Sequence, residues 1–216
     1  MKICAFDVET TGLCPKTDRI VEIGIVTFVD LVVQSRYNQI VRPSKNSCYV
    51  PLEAERIHGI SEQMIINKGK LWLDIAHEVK DILESADIWC AYNADFDIGF
   101  VRSAMEGVGL TIKNIPVVDP FRIAQRFIPY SVLRRRNLGA VAKFFGIELE
   151  KAHRASEDAA ATGAIFRKMC EELDLEPGEL VGARPTKLGK WILEEEYVDV
   201  FRSTYSCLPR KYHRRK

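Results

Sequence analysis

Two carboxylates at the end of a buried strand constrain this chain more than any other feature of its sequence. The apolar run Ile3–Phe6 leads directly into Asp7-Val8-Glu9. Side chains alternate between the two faces of a strand, so Asp7 and Glu9 are predicted to point the same way. Neighbouring acids resist ionising together unless a cation compensates them, and Mg²⁺ prefers oxygen ligands of this kind. The pair predicts either a metal site or an ordinary strand end with two solvated acids.

Composition and length bound the class of protein. A chain of 216 residues with 47% hydrophobic and 28% charged residues predicts one globular core rather than two full domains. It contains no apolar run long enough to span a membrane. Because the first strand begins at Lys2, we expect no signal peptide and a cytoplasmic location.

The six cysteines are scattered along the sequence without paired spacing. This spacing argues against a zinc site or a disulfide framework, and it is typical of a protein from a reducing cytosol.

The order of the predicted elements indicates an α/β fold with a mixed β-sheet of about five strands flanked by helices. Three strands in close succession predict an antiparallel meander, and strands then alternate with helices. Strands are predicted at Lys2–Val8, Arg19–Phe28, Leu31–Val41, Ile88–Ala91 and Val117–Asp119. Helices are predicted at Leu52–Ile57, Ser61–Ile66, Trp72–Leu83, Phe96–Met105, Leu138–Phe145 and Ser156–Leu173, the last capped by Ser156. Residues 1–175 are predicted to form the main domain, and 176–216 a C-terminal extension with a helix at Leu188–Tyr197.

A second acidic segment follows the predicted strand at Ile88–Ala91. It reads Tyr92-Asn93-Ala94-Asp95-Phe96-Asp97 and opens a helix. Acids in a first helical turn are stabilised by the helix dipole, which suffices to explain Asp95. The carboxyl ends of strands are also where α/β folds place their sites, which makes Asp97 a candidate functional residue.

A third segment, His153-Arg154-Ala155-Ser156-Glu157-Asp158, leads into the longest predicted helix. A histidine on a loop is most often a polar surface residue. Its ordinary pKa near neutrality also suits proton transfer, and five residues before an acid it becomes a candidate general base.

Two basic clusters stand out in a chain of net charge +1. They are Arg134–Arg136 and the tail Arg210–Lys216. Basic clusters beside an acidic metal site suit a polyanion such as nucleic acid, whereas each cluster alone is equally typical of a solvated loop or tail.

Taken together, the motifs resemble the DEDDh branch of the exonuclease superfamily, which has a ribonuclease H-like fold. The first family motif, D-x-E-T-T-G, is matched from Asp7 to Gly12. The second, H-N-A-x-F-D, is matched from Asn93 to Asp97, with Tyr92 where many members have His. The third, H-x-A-x-x-D, is matched from His153 to Asp158, and an I-H-G-I segment appears at Ile57–Ile60. In pattern the chain is most similar to the proofreading epsilon subunits of bacterial DNA polymerase III.

The resemblance implies 3′–5′ exonuclease activity with two divalent ions, Mg²⁺ or Mn²⁺, and release of nucleoside 5′-monophosphates. It implies that Asp7 bridges both ions, that Glu9 and Asp158 complete one site, and that Asp97 serves the other. His153 is then the general base.

The resemblance also implies a pocket for the terminal nucleotide. Thr10 and Thr11 are expected to bind it, unless they only form a polar turn, and Leu13 to wedge against its base. His58 either lines this pocket or caps a short helix, and Asn93 is a further candidate contact.

Three functions compete. An exonuclease acting on the 3′ end of DNA, single-stranded DNA above all, is favoured by the T-T-G form of the first motif. An exoribonuclease similar to ribonuclease T is the first alternative, and a nucleic-acid-binding accessory subunit of a polymerase is the second. The intact acids and His153 argue against the last. The sequence leaves open whether a DNA polymerase subunit or a second copy of the chain is a partner, and it predicts no membrane association.

Overall fold

The computed structural model describes residues 1–44, 46–149 and 154–181. His153, the predicted helix Leu188–Tyr197 and the basic tail Arg210–Lys216 lie outside these residues, as do the other positions of the C-terminal extension beyond 181.

Six strands form a single mixed sheet in the described part of the chain. The strands are β1 (Lys2–Thr10), β2 (Ile20–Val29), β3 (Val32–Arg42), β4 (Lys70–Leu71), β5 (Ile88–Cys90) and β6 (Val117–Val118). Their order across the sheet is β4-β3-β2-β1-β5-β6. The first three form the antiparallel meander predicted from the sequence, while β5 and β6 continue the sheet in parallel with β1. This arrangement confirms the predicted α/β mixed sheet and adds the two-residue strand β4, which is too short to leave a periodic signal.

Helices cover both faces of this sheet. They are α1 (Leu52–His58), α2 (Glu62–Lys68), α3 (Trp72–Glu84), α4 (Asp95–Glu106), α5 (Pro120–Phe127), α6 (Leu138–Phe144) and α7 (Ala155–Leu173). A short 3₁₀ helix, Pro177–Leu180, follows α7.

Alternation along β1 separates two hydrophobic cores. Ile3 and Ala5 point to one face, where they pack with α5, α6 and α7. Phe6 and Val8 point to the other, where they pack with α3 and α4. Continuing the alternation, Asp7 lies on the same face as Ile3 and Ala5, so both acids of the first motif face α7.

Helix α7 lies unusually close to β2. A Cβ atom built on Gly24 would come within 2.2 Å of the backbone of Ala155, and one on Gly163 within 2.3 Å of the Phe28 ring. Two glycines thus let the helix backbone approach the strand directly, with its N-terminus beside the end of β1.

Two local predictions were wrong. Ser156 does not cap α7, because the helix already begins at Ala155 and its capping position, Arg154, makes no side-chain cap. Residues 120–127 form α5, which was not predicted; Asp119 is its N-cap and Pro120 its first residue, rather than the end of a strand.

Among the described residues, no helix combines the length and the apolar character that crossing a bilayer requires.

Candidate active site

The acids of the first and third motifs meet where α7 crosses the end of β1. Carboxylate oxygens of Asp7, Glu9 and Asp158 all lie within 4.8 Å of one another. Asp7 and Glu9 are half-buried, and Asp158, in the first turn of α7, is buried. Residues from the two ends of the described fold therefore share one small cluster.

This cluster is electrostatically strained as long as all its members are anions. Burial, followed by the neighbouring charges of Asp97, Glu9 and Asp158, raises the pKa of Asp7 well above its usual value. Burial and then Asp158 raise the pKa of Glu9 to about 8. A divalent cation would remove this conflict, and oxygen ligands at this spacing fit one. The three side chains can therefore hold a metal ion.

Asp97 of the second motif is fixed against the same strand. It lies in the first turn of α4, and its Oδ1 accepts a hydrogen bond of 3.0 Å from the backbone N–H of Val8. The carboxylate is almost fully buried, and this burial raises its pKa to about 8. Asp97 is not among the three carboxylates that converge within 4.8 Å, although its charge acts on Asp7.

A buried ion pair that the sequence did not reveal holds α7 in place. Glu22 on β2 is paired in register with Glu9 and is completely buried. Its carboxylate accepts hydrogen bonds from Arg154 Nη2 (2.6 Å) and Nε (3.2 Å), from the N–H of Ala155 (3.1 Å) and from Asn38 Nδ2 (3.0 Å). Although burial opposes ionisation, these donors, Arg154 first, hold the pKa of Glu22 below its usual value. The Glu22 carboxylate of β2 thus accepts hydrogen bonds from the capping residue and from the first N–H of α7, the helix that carries Asp158.

Asp119 accepts hydrogen bonds from the backbone of the second motif and holds it in place. Its Oδ1 accepts a hydrogen bond from the N–H of Asn93 (3.0 Å) and its Oδ2 one from the N–H of Ala94 (3.2 Å). Oδ1 also caps α5 by accepting from Phe121 (2.9 Å). Asn93 has a positive φ of 64°, which the hydrogen bond from its N–H to Asp119 helps to stabilise. The Asp-Pro pair at 119–120 was the sequence signal for this cap.

The predicted contacts to the terminal nucleotide lie at three separate places: the turn after β1, the end of α1 and the turn before α4. Thr10 Oγ1 donates to the carbonyl of Gly12 (2.6 Å), and Thr11 Oγ1 accepts from the N–H of Arg19 (2.9 Å), so both hydroxyls take part in the turn after β1. Leu13 is 84% exposed, and its apolar side chain is free to meet a base.

His58 lies at the last position of α1 and is buried. Its Nδ1 accepts a hydrogen bond of 3.0 Å from the N–H of Ile60, which ties together the turn at Gly59, where φ is +70°. Asn93, by contrast, is exposed on the turn before α4, four positions before Asp97. His153, predicted as the general base, lies outside the described residues, one position before Arg154.

The two aromatic residues of the second motif have distinct surroundings. Phe96 packs against Phe100 with ring centroids 4.9 Å apart, as part of the core beneath α4. Tyr92 packs against Phe121 of α5, with ring centroids 5.7 Å apart.

Comparison with known proteins decides the family. The family model described as Exonuclease matches residues 4–166, which include all the described acids of the cluster. The chain belongs to this exonuclease family. The resemblance inferred from the three motifs is confirmed.

Relatives of this exonuclease include replication proteins. It is 28% identical over 191 residues to DNA polymerase III subunit epsilon of Treponema pallidum, covering 88% of this chain and 86% of that protein. It is 35% identical over 175 residues to the PolC-type DNA polymerase III of Clostridium perfringens, covering 79% of this chain but only 12% of that protein. It is 30% identical to 3′–5′ exonuclease DinG of Bacillus subtilis, covering 80% of this chain and 18% of DinG. The chain therefore spans a small part of the PolC-type polymerase and of DinG.

Solved structures establish the fold. An exonuclease I structure superposes with a TM-score of 0.68 at 22% identity, covering 79% of this chain and 41% of that one. Exonuclease X, solved with a 5′-overhanging duplex DNA, superposes with a TM-score of 0.62 at 21% identity, covering 82% and 96%. These neighbours share the ribonuclease H-like arrangement predicted for this exonuclease.

Proposed function

We propose that this protein is a metal-dependent 3′–5′ exonuclease that removes nucleotides one at a time from the 3′ end of DNA and releases nucleoside 5′-monophosphates. The observation that carries the proposal is the convergence of Asp7, Glu9 and Asp158 within 4.8 Å. It is supported by membership of the exonuclease family and by the likeness to an epsilon subunit over most of both chains.

Each acid has a distinct part in this proposal. Asp7, Glu9 and Asp158 would hold one divalent ion, Mg²⁺ or Mn²⁺. Asp97, kept in place by the N–H of Val8, would serve a second ion together with Asp7. When bound, such ions lower the pKa of water and stabilise charge on the attacking and leaving oxygens of a phosphodiester.

The remaining chemistry belongs to the side chains around the cluster. His153 would take the proton from the attacking water, and its neighbour Arg154 is fixed by Glu22. Thr10, Thr11, Leu13, His58 and Asn93 would contact the terminal nucleotide, Leu13 through its exposed apolar side chain.

Partners and location follow by analogy. A DNA polymerase is the proposed partner because relatives named as polymerase III components match this chain, and a homodimer is an alternative assembly. We also propose a cytoplasmic location, because the six cysteines are scattered along the sequence without paired spacing. We propose residues 1–175 as the exonuclease domain and 176–216 as an extension of unassigned role.

A cleavage assay tests the activity and the substrate together. Matched DNA and RNA oligonucleotides with a 5′ label are incubated with the pure protein and Mg²⁺, and the products are separated by length. We expect a descending ladder on DNA that excess EDTA abolishes. A ladder on RNA alone would favour the exoribonuclease, binding without cleavage would favour the accessory subunit, and full activity in EDTA would exclude the metal mechanism.

Substitution of Asp7 tests the cluster itself. Asp7→Ala removes the carboxylate on which the charges of Asp97, Glu9 and Asp158 all act, and we expect turnover to fall by several orders of magnitude without loss of folding. Asp74→Ala is the matched control, because Asp74 is an exposed acid on α3. A loss of less than about tenfold in Asp7→Ala, which corresponds to 1.4 kcal/mol of barrier, would mean that another residue has this role.

The base is tested separately. His153→Ala is expected to reduce the rate while Mn²⁺ binding, measured by calorimetry, stays unchanged. An unchanged rate would remove His153 as the base.

A further inference from the structure

An exposed aromatic ring and two arginines lie on the loop that joins α5 to α6. Tyr130 is 65% exposed, and Arg134 and Arg135 are exposed as well. No carboxylate in the described part of the chain forms an ion pair with either of these arginines. Their positive charge is therefore available to an anion from outside.

The loop is an ordered structure. The N–H of Val132 donates to the carbonyl of Pro129 (2.9 Å), and Arg136 Nη2 donates to the carbonyl of Ile128 (2.7 Å). The Arg136 guanidinium also lies 5.5 Å from the centre of the Tyr130 ring. These contacts hold the backbone of the loop and the Tyr130 ring in place, which reduces the entropic cost of binding a ligand.

A hydrogen bond ties this loop to the second acidic motif. The Tyr92 hydroxyl donates to the carbonyl of Arg136, and Tyr92 directly precedes Asn93 on the turn that leads to Asp97. The Tyr92 ring is in turn packed against Phe121 of α5. The loop therefore lies beside the turn that carries Asp97, in continuity with the proposed active site.

We propose that Tyr130, Arg134 and Arg135 form a binding surface for the single-stranded nucleic acid immediately upstream of the nucleotide being removed. The proposal rests on the proposed exonuclease function and adds a second contact region to it. Arginines neutralise backbone phosphates, and an exposed aromatic ring stacks on a base. An unpaired strand is the substrate that fits, because the bases of a duplex are already stacked and paired.

Binding to metal-free protein tests the surface without any cleavage. Fluorescein-labelled oligothymidylate is titrated in EDTA with wild type and with Arg134→Gln/Arg135→Gln, and anisotropy is read at several salt concentrations. We expect weaker binding, and a slope of log K against log salt that is smaller by about 0.7 for each phosphate that the variant no longer neutralises. Tyr130→Ala should weaken binding by about 5- to 150-fold, because one base no longer stacks on the protein.

Lys68→Gln/Lys70→Gln is the matched control. It removes the same charge from exposed residues at the end of α2 and in β4, and β4 lies at the opposite edge of the sheet from β6. If the lysine variant weakened binding as much as the arginine variant, the effect would come from overall charge, and the proposal would be overturned. Unchanged binding in the arginine variant would overturn it as well.

Hydrolysis of a minimal substrate separates the surface from the active site. The p-nitrophenyl ester of thymidine 5′-monophosphate has no upstream nucleotides, so the arginine pair should hydrolyse it with unchanged kcat and KM while KM for the oligonucleotide rises. An equal loss on both substrates would overturn the surface. Failure of wild type to hydrolyse either substrate would instead overturn the proposed function, and the binding measurement would still decide the surface.

Tyr92→Phe tests the tether. It keeps the ring on Phe121 and removes only the hydrogen bond to the Arg136 carbonyl, so it should weaken oligonucleotide binding while the protein stays folded. Wild-type affinity in this variant would contradict the role given to the tether.

Discussion

At the scale of single residues, the site is defined by acids that oppose one another's ionisation. Asp7, Glu9 and Asp97 all have raised pKa values, and in each case burial is the main cause. Burial in the folded protein thus makes the charged forms of these carboxylates less stable than they are in water. A bound cation is the natural compensation, and its removal should be visible in stability as well as in activity.

The first prediction concerns pH in EDTA. Folding raises the pKa of Glu9 from 4.5 to about 8 and that of Asp97 from 3.8 to about 8. An acid with a raised folded pKa favours the folded state below its unfolded pKa, and this contribution is lost as pH rises through the folded pKa. We expect the Tm of metal-free protein to fall between about pH 5 and pH 8.

The control for this prediction is Glu9→Gln/Asp97→Asn, which lacks both titrating groups. Its Tm, followed by circular dichroism in EDTA, should change less over the same pH range than that of wild type. Mn²⁺ should restore the wild-type Tm at pH 8 and leave the variant unaffected. Identical pH profiles in the two proteins would show that these acids do not titrate with raised pKa values.

Residue-level prediction from the sequence was uneven for a physical reason. Strand alternation placed Asp7 and Glu9 on one face, because that period is a local property of the backbone. The Glu22–Arg154 pair could not be found in the same way. An acid within an apolar strand was the only local signal, and its partner is brought to it by the docking of α7.

At the scale of elements, α7 determines whether the site exists. The helix carries Asp158, and its start is fixed to β2 by Glu22 and by the close approach at Gly24. Neither contact uses apolar side chains, although the rest of the helix packs into the core. Periodicity predicted the extent of this helix well, since its apolar face is long, but not the means by which its N-terminus is attached.

The second prediction is a double-mutant cycle on the ion pair. Arg154→Met leaves the buried Glu22 carboxylate without its cation and should cost about 3–5 kcal/mol in urea unfolding. Glu22→Gln should cost less, because the Arg154 side chain is 35% exposed and its charge can be hydrated. The double variant should recover part of the loss, whereas strict additivity would contradict a direct coupling.

The third prediction concerns the close approach of helix and strand. Gly24→Ala would bring a methyl group within 2.2 Å of backbone atoms that cannot move alone, so α7 must shift. We expect a loss of about 1–3 kcal/mol in unfolding free energy and weaker Mn²⁺ binding. Gly139→Ala in α6 is the control, since its nearest neighbour is 3.7 Å away and about 0.4–1 kcal/mol of stabilisation is expected. Equal effects at the two glycines would contradict the steric account.

At the scale of the whole molecule, the fold is a sheet with a core on each face, and one core extends beyond α7. Leu180, in the 3₁₀ helix after α7, is fully buried among residues of α5, α6 and α7. The proposed domain boundary at residue 175 lies just before Pro177 and Gly178, which belong to the 3₁₀ helix. Composition marks where regular structure is interrupted, and it does not reveal which side chains still pack on the core.

The fourth prediction measures that packing. Leu180→Ala should reduce the free energy of unfolding by about 2–5 kcal/mol, as expected for truncation of a buried leucine. Leu52→Ala, at a position that is 55% exposed, should change it by less than about 0.5 kcal/mol. Chemical denaturation of both variants provides the measurement, and a small effect at Leu180 would show that the turn contributes little to the core.

The meeting of β1 with the start of α7 has a consequence for the order of events during synthesis. Asp7 and Glu9 leave the ribosome well before Asp158 and the Arg154 that anchors its helix. A nascent polypeptide thus lacks a complete ligand set until the long helix has emerged and docked. The proposed nuclease would in this way be inactive until that helix is in place.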